Sequence, residues 1–339
     1  MSQATSWSVP LVGPATPTVM AQRIDDSFDA LLSGHSGSAR PAYAVVGTIW
    51  QDTSVAGTVS HYFYDGSNDI LLYSVDTSTN VFIPAPVARE TYRGYIRGLE
   101  LSNNVTDATN DIDITTGSTG SDGASSFLMT LASALTKRLD AAWAVGTNQG
   151  GLDTGSIANT TYHVWLIQRS DTGVIDALFS TSATAPTMPA NYDRKRRIGS
   201  IPRESGALIT IKQDGPLFRR ATKVDRSSTS AAASALLALS VPTGINVYPL
   251  LNYDIATGTA STDAQLLIGG AWEGSATNTI DRVFTTSLAN TASVTHGGIG
   301  PIFQTNTSAQ IYFATTIASG SLSTNVLSTV GWIDNRGAV

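Results

Sequence analysis

The amino-acid sequence predicts a mainly β protein: an antiparallel β-sandwich, jelly-roll-like, preceded by one small N-terminal helix and a β-hairpin module. Three observations predict it. The first is the stretch 161–180. An apolar and aromatic run ends at Ile167, a polar turn carries Asp171-Thr-Gly173, and a second apolar run closes at Phe179. Two strand-length runs around such a turn read as a hairpin. The second is composition. Hydrophobic residues make up 42% of the 339 and charged residues only 14%. Ser, Thr, Gly and Ala fill the difference, which suits many short strands joined by turns. The third is a train of strand-length runs at 207–211, 235–241, 245–251, 265–268, 310–314 and 326–332, separated by turn residues at sandwich-like intervals. No fixed repeat is visible, which argues against a β-helix or a propeller. Six Trp, eleven Tyr and nine Phe spread along the chain argue against disorder.

One helix is announced near the start. In Pro14-Ala-Thr-Pro17, Thr16 is a candidate N-cap and Pro17 the first helical residue. Met20, Ile24, Phe28 and Leu31 or Leu32 recur at spacings of three and four, and Gly34 offers a stop. An apolar stripe of this kind must be covered. Either it packs on the protein's own sheet, or it is an interface to another subunit or a neighbouring protein. A second hairpin follows, with 59–64 and 70–75 joined through Asp65-Gly66. The two prolines in Val81-Phe-Ile-Pro-Ala-Pro86 do not fit a central strand and mark a module boundary near residue 87. The expected organisation is therefore an N-terminal segment with an anchoring or oligomerisation helix (1–35), a small β-hairpin module (36–86) and a large sandwich (87–339).

Further along, Asp111-Ile-Asp-Ile-Thr115 alternates as a strand does. In 125–139, Phe127, Leu131, Leu135 and Leu139 fit a helix, but the same residues fit two short strands with a bend. The glycine-rich stretch 144–155 lacks the Gly-Lys-Ser/Thr of a phosphate cradle and reads as a long surface loop. Arg194-Lys-Arg-Arg197 is the one dense basic run on a chain of net charge -6. A solvated turn or a subunit contact is the expected role, and no nucleic acid is expected as partner.

No constellation for catalysis stands out. The four histidines, His35, His61, His163 and His296, are not at metal-ligand spacing. His163 reads as a strand residue with its ring hydrogen bonded. Glutamates are few and most aspartates sit in turns, where backbone hydrogen bonding accounts for them. Residues 107–113 carry oxygens that suit Ca²⁺, but the glycine and terminal glutamate of a calcium loop are missing. No catalytic residue, cofactor or metal site is assigned, and the chain is expected not to be an enzyme. There are no cysteines, hence no disulfide framework. No apolar run approaches membrane-spanning length, and no membrane partner is expected. Of the tryptophans, most are expected in the core; Trp272, in a glycine-rich context, is the candidate to stack on a sugar.

Several short motifs occur in an order that resembles a family of proteins. These are Gly47-Thr-Ile-Trp-Gln-Asp-Thr-Ser54 followed by Tyr64-Asp-Gly66, the hairpin 161–180 with Ala185-Pro186, Met188-Pro189, Tyr192 and 194–201 behind it, Val241-Pro-Thr-Gly-Ile245, and the ending Gly331-Trp-Ile-Asp-Asn-Arg-Gly337. Together they resemble tail-fibre-like and related appendage proteins of tailed bacteriophages, over residues from about 40 to the end. The resemblance favours strands over 125–139. It implies a virion structural protein made in the host cytoplasm, a homotrimer in contact with other virion proteins, with host surface polysaccharide as the ligand if the protein serves as the adhesin.

Overall fold

The computed structural model describes residues 3–4, 7–10, 13–85, 93–123, 126–257, 262–271, 294–299 and 303–336. The chain divides into two compact units, Met1–Val87 and Ala88–Val339.

In the first unit, helix α1 (Pro17–Leu32) precedes a meander of four antiparallel strands in the order β1 (Ile49–Asp52), β2 (Thr58–Tyr64), β3 (Asp69–Asp76) and β4 (Val81–Pro84). The helix starts where its capping residues place it: Thr16 Oγ1 accepts the Val19 N–H at 3.3 Å and Pro17 occupies the first turn. The β2–β3 turn is held by Asp65 Oδ1, which accepts N–H groups of Ser67 at 2.7 Å and Asn68 at 2.6 Å. Pro84 falls at the end of an edge strand, a position that tolerates its missing N–H.

The second unit begins with β5 (Ile96–Gly98), β6 (Leu101–Asn103), β7 (Asp111–Ile114), β8 (Gly117–Gly120), β9 (Leu128–Leu131) and β10 (Leu135–Ala142). It continues with β11 (Gln149–Leu152), β12 (Thr161–Gln168), β13 (Ile175–Ser180), β14 (Arg194–Glu204), β15 (Ala207–Leu208), β16 (Ile211–Asp214) and β17 (Leu217–Ser228). It closes with β18 (Ala232–Ala238), β19 (Tyr248–Thr257), β20 (Thr262–Gly269), β21 (Val294–Ile299), β22 (Gln310–Ser319) and β23 (Leu322–Ile333). Thirteen of these form one sheet, ordered β15-β14-β12-β13-β11-β10-β7-β6-β16-β17-β23-β19-β21, and two three-stranded sheets, β18-β22-β20 and β5-β8-β9, accompany it. A sheet this long curls rather than stays open. The chain shows the curl directly. β15 ends the strand order and β16 lies in its middle, yet residues 208 and 211 are neighbours in sequence. Asn103 holds that crossover: its Nδ2 donates to Ile209 O at 3.1 Å and its Oδ1 accepts the Ile211 N–H at 2.9 Å. The expected single strand at 207–211 is therefore split between two parts of the sheet.

One core joins the three sheets. It contains Leu101, Ile112, Val164 and Phe218 of the long sheet, Met129 of the β5-β8-β9 sheet, and Ile268 and Phe313 of the β18-β22-β20 sheet. This is the mainly antiparallel sandwich that the sequence predicts, with Leu131 and Leu135 in the two strands β9 and β10 rather than in a helix. β12 is buried along its whole length. Tyr162, Val164 and Leu166 face the main core, while Trp165 and Ile167 face a second cluster with Leu178 and Tyr192. Burial on both faces explains why this stretch is continuously apolar instead of alternating.

Two expectations need correcting. The glycine-rich stretch 144–155 is not all loop: β11 lies inside the long sheet, parallel to β10 and to β13. Its glycines are there because neighbours come too close for a side chain. A Cβ on Gly150 would lie 2.0 Å from Ala142 O, and one on Gly151 would lie 2.8 Å from the Phe179 ring. The basic run is not a solvated turn either. It opens strand β14, and Arg196 and Arg197 are buried.

Candidate interaction surfaces

The N-terminal unit is almost without a core. Among its described residues only Ala4, Ala30 and Trp50 are buried hydrophobics. Sixteen of the twenty-three large hydrophobic side chains left exposed among the described residues belong to it, although it holds about a quarter of the chain. Most of them fall on three features. On the sheet, Ile49 and Ile70 flank Phe63 in cross-strand register and are exposed. On the edge strand β4, Val81, Phe82 and Ile83 are exposed in succession. On α1, the stripe Met20, Ile24, Phe28 and Leu31 faces solvent, with Phe28 59% and Leu31 55% accessible, and Leu32 extends it.

The helix is amphipathic in an unusual sense. Its one buried side chain is Ala30. Ala30, Arg23, Asp26 and Ser27 share a helix face by their spacing, and the last three are half-buried. The polar face is thus the more covered one, and the apolar stripe lies elsewhere around the helix. Sequence spacing identified the stripe but left open what covers it. Packing on this unit's own sheet does not.

In the C-terminal unit two buried polar clusters are closed by ion pairs. Arg197 grips Asp334 with both terminal nitrogens, Nη1–Oδ2 at 2.5 Å and Nη2–Oδ1 at 2.8 Å. Asp334 Oδ1 also accepts the Arg336 N–H, and Arg336 Nη1 donates to Gly98 O and Leu99 O. Arg197 Nη1 further donates to Ser200 Oγ at 2.9 Å, and that hydroxyl lies 2.8 Å from His163 Nδ1. The guanidinium can only donate, so Ser200 Oγ accepts from Arg197, and the direction of its bond with His163 Nδ1 follows the imidazole tautomer. Burial, and secondarily the Arg197 charge, push the His163 pKa down to about 4. A Ser–His pair invites comparison with a nucleophile and its base. Here both side chains are buried, the serine oxygen is already engaged by Arg197, and Asp334 serves the arginine rather than the imidazole. The pair is a structural link between β12 and β14, as the strand reading of His163 predicted.

A second buried ion pair, Lys137 Nζ to Asp176 Oδ1 at 3.2 Å, has both side chains sealed from solvent. The ammonium also donates to Ala144 O and Gly146 O, and Asp176 Oδ2 accepts the Gly146 N–H. The pair clamps the turn that leads into β11. Desolvation pulls the Lys137 pKa down, and Asp176 counteracts it. In 107–113, Asp107 Oδ1 accepts N–H groups of Thr109 and Asn110, a turn role. No group of three or more acidic or histidine side chains suited to a metal occurs among the described residues.

Trp50, Trp165 and Trp332 are buried, as expected of core tryptophans. Trp272 lies outside the described residues. Trp143 is only half-buried, with its Nε1 donating to Ala177 O at 3.0 Å and its ring edge-on to Tyr192. It lines a cleft of about 310 Å³ with Leu152, Asp153, Thr154, Thr187 and Met188. No sequence signal singled this cleft out, because its walls come from 142–155 and 187–189.

No family model and no curated protein matches the chain. Among solved structures it is similar to one described as the T13 IBDV viral particle, at 11% identity over 72% of this chain and 68% of that one, with a TM-score of 0.18. It is also similar to the infectious bursal disease virus VP2 subviral particle, at 9% identity over 83% and 67%, with a TM-score of 0.17. Scores this low assign neither fold nor function.

Proposed function

We propose that this chain is a non-enzymatic structural component of a tailed-phage virion, such as a tail fibre, a collar fibre or a head-attached appendage, that assembles by subunit contacts through its N-terminal unit. The observation that carries the reading is the contrast between the two units. The C-terminal sandwich buries its own apolar residues, whereas the N-terminal unit leaves most of its own uncovered. A unit of that kind is completed by other polypeptide. The motif order that resembles phage appendage proteins supports the virion as the setting and a homotrimer as the assembly. Mass spectrometry of purified particles tests it: the chain should appear at several copies per particle, and antibody labelling should decorate an external appendage. Particles that lack the chain would sink the proposal.

A second reading is a carbohydrate-binding adhesin for the host surface. The cleft beside Trp143 favours it, since an indole next to Asp153, Thr154 and Thr187 combines a stacking surface with polar groups for sugar hydroxyls. The isolated protein should then bind host cells and lose binding on Trp143→Ala. Turnover of capsular polysaccharide by the purified chain would overturn the non-enzymatic reading.

A further inference from the structure

We propose that Lys137 and Asp176 are the two ends of an intramolecular amide: Lys137 Nζ condenses with the Asp176 side-chain carboxyl, one water is lost, and the bond ties β10 to β13 across β11. Four observations carry it, and the proposed function uses none of them. The first is isolation. Both side chains are sealed from solvent, where an ion pair is costly to keep charged. Passing one proton from Nζ to the carboxylate leaves a neutral amine and a neutral acid, which are the forms that react. Desolvation works in that direction, since it pulls the Lys137 pKa down and favours the nucleophilic free amine. The second is contact. Nζ stands 3.2 Å from Oδ1, and both residues sit on strands rather than loops. The third is hydrogen bonding. A neutral amine has two hydrogens, and Nζ has two carbonyl acceptors besides Asp176: Ala144 O at 2.7 Å and Gly146 O at 3.2 Å. With both hydrogens taken, the lone pair is left for the carboxyl carbon. On the other side, the Ala177 N–H donates to Oδ1 at 2.7 Å and the Gly146 N–H to Oδ2 at 2.8 Å. Two such donors withdraw charge from the carboxyl and stabilise the oxyanion of the tetrahedral intermediate. The fourth is room. β11 lies between β10 and β13, and a Cβ on Gly151 would stand 3.2 Å from Lys137 Cβ. The glycine leaves the lysine stem a path over β11.

The step balances without any other reagent. The Nζ–Cγ bond forms, one Cγ–O bond breaks, and that oxygen leaves as water with the carboxyl proton and one amine hydrogen. The bond falls where the long sheet is thinly paired, because β11 meets β13 in register only at Leu152 and Phe179.

Mass spectrometry of the full-length chain, purified folded and then unfolded in acid, reads the bond directly. After allowance for the initiator methionine, the native chain should be lighter than its sequence by one water, about 18 Da. Lys137→Arg and Asp176→Ala should keep their full calculated masses. A protease digest of the native chain should contain one branched peptide in which fragmentation joins Lys137 to Asp176, and that readout stands even if both variants fail to fold. A native chain that keeps its full mass after prolonged incubation at neutral pH would overturn the inference, leaving Lys137 and Asp176 as an ordinary ion pair. So would the same mass loss mapped to an Asp-Gly step such as Asp65-Gly66, which is a succinimide. Neither outcome bears on whether the chain occurs in phage particles, so failure here leaves the virion reading standing.

Discussion

At the scale of single residues, the C-terminal unit depends on a few buried polar side chains that are satisfied only as sets. His163 is the titrating member. Its folded pKa of about 4 lies below the ordinary value of 6.5, so the unfolded chain binds more protons between those limits. The neutral ring therefore contributes stability that is fully present above pH 6.5 and is lost as pH falls through 4, by about 3 kcal/mol for a difference of that size. Asp111 and Asp225, whose carboxyls burial pushes up, act with the opposite sign. Comparing urea midpoints of the native chain and His163→Gln from pH 7.5 to 4 cancels them, and the variant should show the flatter profile. Parallel profiles would remove His163 from the account. Arg197 gives a second expectation. Arg197→Met leaves Asp334 buried without its bidentate partner, which should cost about 3–5 kcal/mol. Asp334→Asn in the same background should restore part of that loss, and urea denaturation measures both.

At the scale of elements, what the sequence made legible follows from whether the cause is local. The Thr16 cap, the Asp65-Gly66 turn and the Asp171-Thr-Gly173 turn act within a few residues, and the structure has each where it was read. Gly173 adopts a left-handed φ of 74°, which the turn between β12 and β13 requires. Three features were hidden because their cause is distant. The basic run reads as solvent-facing until Asp334, 137 residues away, neutralises Arg197. β17 carries Arg219, Arg220, Lys223, Asp225 and Arg226, so its charge masks a strand that is half open to solvent and paired to β23. β11 reads as loop because glycine is poor in strands; here it is imposed by Ala142 and Phe179. The last point is testable. Gly150→Ala would drive a Cβ against backbone and should destabilise the C-terminal unit by about 3 kcal/mol or more. Gly155→Ala has open space around it and only its φ of 78° to accommodate, for about 1 kcal/mol. Equal thermal shifts for the two variants would contradict the placement of β11.

At the scale of the whole molecule, the stripe on α1 was as visible in the sequence as any feature, yet its partner was not. A pattern of 3.6 periodicity states that a face is to be covered and is silent on what covers it. The structure answers by contrast: the long sheet and its two companions share one continuous core, while the N-terminal unit has three buried hydrophobics among its described residues. Association and stability are then coupled differently in the two units. Anything that binds only the folded form raises its unfolding temperature in proportion to the logarithm of concentration. If the N-terminal unit folds stably only within an assembly, its transition should move up by several degrees for each tenfold rise in protein concentration. The transition of the C-terminal unit should stay fixed. Scanning calorimetry of the full chain at three concentrations distinguishes them, and Phe28→Asp should abolish the moving transition while leaving the fixed one in place. A single transition indifferent to concentration would mean that the exposed stripe is not stabilised by association, and the division of labour between an assembling unit and a self-sufficient sandwich would have to be abandoned.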